Sequence, residues 1–155
     1  MKKIIKISAF GTAFTLVVIQ LIPRDHNDSM TIPVNSISKV FAIGDRVNGI
    51  FKRSCYDCHS NHTEYPWYAN LQPIRSILDH HIRGGKTELN FDEFATYTAR
   101  KQRNKLRAVV ESLEEGSMPL SSYTLIHASA ILFKEDKILL KNWAEFAIDS
   151  VNKRN

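Results

Sequence analysis

The scarcest side chains of this sequence are gathered in one place. The stretch SCYDCHSNHTEYPWY, residues 54–68, holds both cysteines, two of the six histidines and one of the two tryptophans. Cys55 and Cys58 are separated by two residues and His59 follows directly. Any fold of this chain therefore brings two thiols and an imidazole onto about one turn of backbone. Three chemistries use such a set: a dithiol redox pair, a metal knuckle, and covalent attachment of a haem. The rest of the sequence discriminates among them.

The N-terminus supplies the compartment. MKKIIKISAFGTAFTLVVIQLIPRDHND opens with lysines, runs uncharged from Ile7 to Ile22, and ends at Pro23 and a charged segment. Basic start plus apolar stretch is the form of a bacterial export signal. No small-x-small cleavage site follows, so residues 1–22 read as an uncleaved signal and membrane anchor. Lysines preceding the apolar stretch place the bulk of the chain outside the cytoplasm, on the periplasmic side of the inner membrane. The competing reading is a buried N-terminal core helix. In an oxidising compartment two cysteines are expected to pair, but a disulfide across two residues closes a loop too small to stabilise much.

The formal charge of +5 is not a nucleic-acid signature. Lys2, Lys3 and Lys6 contribute three of those charges, leaving 18 basic against 16 acidic residues. The basic run RKQRNKLR, residues 100–107, reads as the solvated face of a helix. No nucleic acid partner is expected.

Residues 23–36, polar and broken by Pro23 and Pro33, read as a linker, and residues 37–155 as one domain. Apolar residues at helical spacing from Ile37 to Phe51 predict a helix leading into the cysteine motif, with Gly44 weakening its middle. Residues 64–73 predict a loop. IRSILDHHIRGG predicts a short helix stopped by Gly84 and Gly85. Asn90 and Glu93 suggest a capping box opening a long helix, broken near KQRNK. Leu106, Val109, Val110 and Leu113 make its stripe, Gly116 ends it, and a loop runs to His127. A last helix from about Lys134 is expected to bury Leu139, Leu140, Trp143, Phe146 and Ala147. No alternating strand pattern and no repeat is visible, so the predicted fold is all-α, with four or five helices.

That fold class weighs on the motif. A thioredoxin-like pair belongs after a strand in a βαβ pattern, which is absent. Zinc could draw on Cys55, Cys58, His59 and His62, or on His80 and His81, but the spacing matches no common knuckle. Covalent haem fits best: thiols one turn apart reach the two porphyrin vinyl groups, and His59 lies where it can ligate iron. Two candidates compete for the sixth position. Met118 sits in the loop GSMPL between Gly116 and Pro119, and His127 is its rival; His62, His80 and His81 come next, and Met30 in the linker is a poor candidate. Trp67, Tyr68, Leu71 and Ile74 are candidate pocket walls.

Four blocks in one order, CYDCHSNHTEYPWYANLQP, LNFDEFATY, GSMP and YTLIHASAIL, resemble the bacterial haem-binding domain family, over residues 37–147. The resemblance implies an all-α, cytochrome c-like domain wrapped around one haem c, attached through Cys55 and Cys58. It implies His59 as proximal ligand and Met118 at the position of the family's Met-Pro. The sequence departs from the pattern after His127, where ASAILF lacks the expected proline. For Tyr123 to His127 a propionate contact, a loop brace and ligation all stay open. The function expected is single-electron transfer to a transient redox partner by a protein that is not an enzyme. The alternative is a haem sensor or peroxidase-like catalyst with a labile sixth ligand.

Overall fold

The computed structural model describes residues 1–29 and 33–154. Met30, and with it part of the expected linker, lies outside the described residues. Seven α-helices are present among these: α1 (Lys2–Val18), α2 (Asp45–Ser54), α3 (Tyr56–His59), α4 (Ile74–Glu88), α5 (Ala99–Glu115), α6 (Ser121–Thr124) and α7 (Lys134–Lys153). Short 3-10 turns join them. The only sheet-like pairing among the described residues is an isolated bridge between Asp28 and His62.

α1 continues through a 3-10 turn to Leu21 and is apolar beyond Lys6, with a mean hydropathy of 1.8 and none of it buried in the protein. The core-helix reading of this segment is therefore excluded. Its length and composition are compatible with a signal or a membrane anchor.

The helix expected from Ile37 is divided in two. Ile37–Lys39 form a 3-10 turn, and Gly44 takes an extended conformation at the N-cap of α2. Asp45 then occupies the first turn, where a carboxylate complements the helix dipole. Val47, Ile50, Phe51 and Ser54 repeat at i, i+3, i+4 and i+7 and are buried. At Cys55 the backbone leaves the helical region (φ −132°), so α3 begins as a separate turn.

α4 does not stop at Gly84 and Gly85 but runs to Glu88. Gly85 serves packing instead: a Cβ there would lie 2.6 Å from the carbonyl oxygen of Cys58. Nor does Asn90 cap a helix. Its side chain accepts from the Asp92 N–H at 3.0 Å and donates to Asn61 at 2.8 Å. Such a local turn competes with helix formation. α5 starts at Ala99, with Thr98 accepting from the Lys101 N–H at 3.3 Å, and passes KQRNK without a break. Gly116, at φ +68°, ends it in the left-handed conformation that glycine adopts without a Cβ penalty.

α5 and α7 pack along each other and against α2. Leu140, Ala144, Ala147 and Val151 form the buried stripe of α7. Leu139 and Trp143 are half-buried at its edge, and Phe146 lies off the stripe and is 66% exposed, contrary to the expectation that it is core. Phe51 sits at the centre, with ring centroids 4.9 Å from Phe91 and 5.1 Å from Trp143. Each fully buried side chain of this size contributes about 1.5–3 kcal/mol of transfer free energy.

The described part of residues 23–36 does not hang free. Thr63 N–H donates to Asn27 O at 2.9 Å, and Ser29 N–H to Asn61 O at 2.8 Å. Asn27 Nδ2 donates to Ser60 O and Thr63 Oγ1, both at 2.9 Å. Polarity predicted a linker; here the same polar groups serve as partners for the backbone after His59.

Candidate functional site

The turn Cys55–His59 is set by the end of α2. Cys55 N–H still donates to Phe51 O at 2.9 Å, and Cys55 O accepts from Cys58 N–H at 3.2 Å and His59 N–H at 3.0 Å. Both cysteines line one cavity of about 430 Å3. Its wall is mostly apolar and includes Phe51, Leu89, Phe91, Val109, Leu113 and Leu140. Met118 lines the same cavity from the loop after α5. Four of the six site residues expected from the sequence, Cys55, Cys58, His59 and Met118, therefore meet around one space.

His59 is held in one state. Its Nδ1 lies 2.9 Å from Leu89 O, and its own carbonyl accepts from Phe91 N–H at 2.8 Å. A carbonyl only accepts, so Nδ1 carries the proton and the lone pair of the neutral ring falls on Nε2. That is the arrangement of a metal-binding imidazole oriented by a second partner.

This environment disfavours the thiolate form of both cysteines. Burial pushes Cys55 up to about 12, with the neighbouring Cys58 adding to the rise and Arg53 opposing it. Burial, then Asp57, pushes Cys58 up to about 11. A dithiol of the thioredoxin type depends on the opposite shift. Nor is a zinc knuckle formed: among the described residues no three of His, Cys, Asp or Glu are placed so that together they could hold one metal ion.

Asp57, between the two cysteines, ties the motif to the Met118 loop. Its Oδ2 accepts from Tyr123 O–H at 2.6 Å and its Oδ1 from Glu64 N–H at 3.1 Å. Tyr123 lines the cavity, and burial followed by the Asp57 hydrogen bond raises its hydroxyl far above the ordinary range.

The pocket walls expected from the sequence were Trp67, Tyr68, Leu71 and Ile74. None lines the cavity. Trp67 is 76% exposed, and Tyr68 turns to His127 instead, with its oxygen 2.8 Å from Nε2. His127 is fully engaged: Nδ1 donates to Tyr123 O at 3.1 Å, so Nε2 accepts from Tyr68, and the ring stacks on Tyr123 at 4.1 Å. It braces the loop and does not line the cavity. His62 pairs with Asp28 at 2.8 Å, while His80 and His81 reach the cavity from α4. Sequence reasoning missed Leu78, Leu89, Phe91, Leu120 and Leu132 as lining residues. Only the Val109–Leu113 stripe carried a usable signal.

The donor set fits a haem. The lone-pair nitrogen of His59 and the thioether sulfur of Met118 share an apolar space of ligand size with the two cysteine thiols. A family model described as a haem-binding domain matches residues 14–146. No curated protein and no solved structure matches the chain. The fold, the cavity and the match over most of its length agree: this chain belongs to the haem-binding domain family.

Proposed function

We propose that this protein is a membrane-tethered c-type cytochrome that passes single electrons on the periplasmic side of the inner membrane. Cys55 and Cys58 would hold haem c through two thioether bonds, and His59 and Met118 would be the axial ligands. The observation that carries the reading is the shared cavity, in which two buried thiols and an Nδ1-protonated His59 lie with Met118. Bound haem supplies reversible one-electron chemistry at its iron.

The chain's own residues do the rest. Leu89 O orients the His59 ring and fixes its tautomer. The apolar wall from α5 and α7 excludes water, which favours the reduced state, as does a thioether ligand. The Asp57–Tyr123 hydrogen bond holds the Met118 loop against the motif. Such a protein needs no acid–base set of its own, and we assign it no enzymatic activity. Its partner is another redox protein, met transiently over a small interface. One observation favours a second reading, a haem sensor or peroxidase-like catalyst: Met118 is 39% exposed, in a loop that could release it.

The test is the absorption spectrum of the full chain, matured with the cytochrome c assembly machinery. Colour that stays with the polypeptide through acid–acetone extraction, low-spin, with a methionine–iron charge-transfer band, supports the proposal. Met118→Ala is then expected to become high-spin and to bind carbon monoxide. High-spin colour in the native protein favours sensing or catalysis. Colour that extracts refutes covalent attachment.

A further inference from the structure

The end of the apolar helix is clamped to the domain, with no slack between them. Gln20 Nε2 donates to Gln72 O at 3.2 Å, and Gln72 N–H donates back to Gln20 Oε1 at 3.0 Å. Arg24 donates to Asn70 Oδ1 at 3.3 Å, and the Arg75 guanidinium to Asp25 O. Segment 70–75 therefore sits where the chain would leave a bilayer crossed by Lys2–Leu21.

Four large apolar side chains surround Gln72 and are exposed: Trp67 by 76%, Leu71 by 45%, Ile74 by 41% and Ile77 by 55%. Scattered exposed apolar residues need no explanation, but a group beside a membrane exit does. The other face of α4 is satisfied, because Arg75 and Asp79 are buried there and bonded to each other at 2.8 Å. The exposed face leads elsewhere. Ile74, Ile77, Leu78, His81 and Gly85 follow one another at helical spacing, and the last three line the cavity. The patch thus runs from the membrane exit to the α4 wall of the cavity. Tryptophan at this position has the preference expected of the headgroup region. Nearby charge is largely self-satisfied, since Arg83 pairs with Asp25 at 3.1 Å.

We infer that the domain lies on the lipid surface, with Trp67, Leu71, Ile74 and Ile77 in the headgroup region and the α4 wall of the cavity held close to the membrane. This rests on the reading of Lys2–Leu21 as an anchor. The redox partner then meets the protein at the membrane surface. The attraction is apolar, so it persists in salt that screens exposed charges.

The full, haem-loaded chain is placed in vesicles of phosphatidylethanolamine and phosphatidylglycerol, with photoreactive benzoylphenylalanine at one position at a time. Position 14 reports the anchor, positions 67 and 77 the patch, and position 146, equally exposed on α7, serves as control. After irradiation, mass spectrometry reads lipid adducts. Adducts are expected at 14, 67 and 77, with a yield at 146 at least about tenfold lower, and unchanged in strong salt. Adducts at 14 but none at 67 and 77 overturn the inference and leave the anchor standing. Cross-links from 67 or 77 to a second copy of the chain also overturn it. No adduct at 14 overturns the anchor reading itself.

Discussion

Two adjacent glycines on α4 should respond to the same substitution with opposite sign. At Gly84 an added Cβ meets nothing within 4 Å, so Gly84→Ala only removes the entropic cost of glycine in a helix. That gain is about 0.5–1 kcal/mol. At Gly85 the same gain is opposed by a Cβ placed 2.6 Å from Cys58 O and 3.2 Å from Cys58 C and Cβ. These are mainly backbone atoms, so no rotamer change relieves the clash. To reach ordinary contact α4 must withdraw from the cysteine motif by roughly 0.8 Å. Overpacking of this kind costs about 1–3 kcal/mol. The net expectation is a loss of about 1–2 kcal/mol for Gly85→Ala, and so a gap of about 2 kcal/mol between neighbours. Urea unfolding of the full chain in detergent, without haem loading and followed by helix circular dichroism, reads this directly. With a slope of about 1–3 kcal/mol per molar, the two midpoints should differ by about 1 M. Haem-attachment yield should fall only in Gly85→Ala, since that change displaces Cys58. Equal midpoints for the two variants would refute the close approach of α4 to the motif.

Three further outcomes are expected. Asp79→Ala leaves the buried Arg75 charge without its carboxylate and should cost about 3–5 kcal/mol, whereas Arg75→Met/Asp79→Leu should cost far less, as thermal unfolding of the three proteins will report. Tyr123→Phe removes the 2.6 Å bond to Asp57 and should lower stability by about 1.5–3 kcal/mol; a melting temperature equal to wild type would show that the bond braces nothing. Burial alone would raise the Asp136 carboxyl, but the Arg53 hydrogen bond, the Phe133 N–H and the Arg53 and Arg46 charges outweigh it and hold it below the ordinary carboxylate range. Its contribution is therefore present above the unfolded carboxylate value near ~4 and lost as pH falls through the lower folded value. Asp136→Asn should cost about 1 kcal/mol at pH 7, and the difference from wild type should vanish at strongly acid pH in a stability–pH series.

What was readable in the primary structure was local or periodic. The spacing Cys55–Cys58–His59 lies within one turn, so these three donors could be grouped before any fold was known. The end of α5 at Gly116 and the Leu106–Leu113 stripe were legible for the same reason, because positive φ and helical period act within a few residues. Met118 could be singled out because it stands in a Gly/Ser/Pro loop. Several failures were cases in which a distant neighbour decided. Gly84 and Gly85 look like a stop signal; the approach of Cys58 makes Gly85 a packing residue and lets α4 continue. Asn90 looks like a cap until Asn61 and Asp92 take its side chain. His127 looked like a ligand, and only Tyr68, 59 residues away, shows that both its nitrogens are spent. The aromatic cluster at Trp67 looked like a pocket wall because hydrophobicity says that a side chain avoids water, not which surface will cover it. The proton on His59 is the clearest division. The motif names the imidazole, but the nitrogen left free follows from Leu89 O, thirty residues downstream, and hydrogen-bond direction exists only once two segments have met.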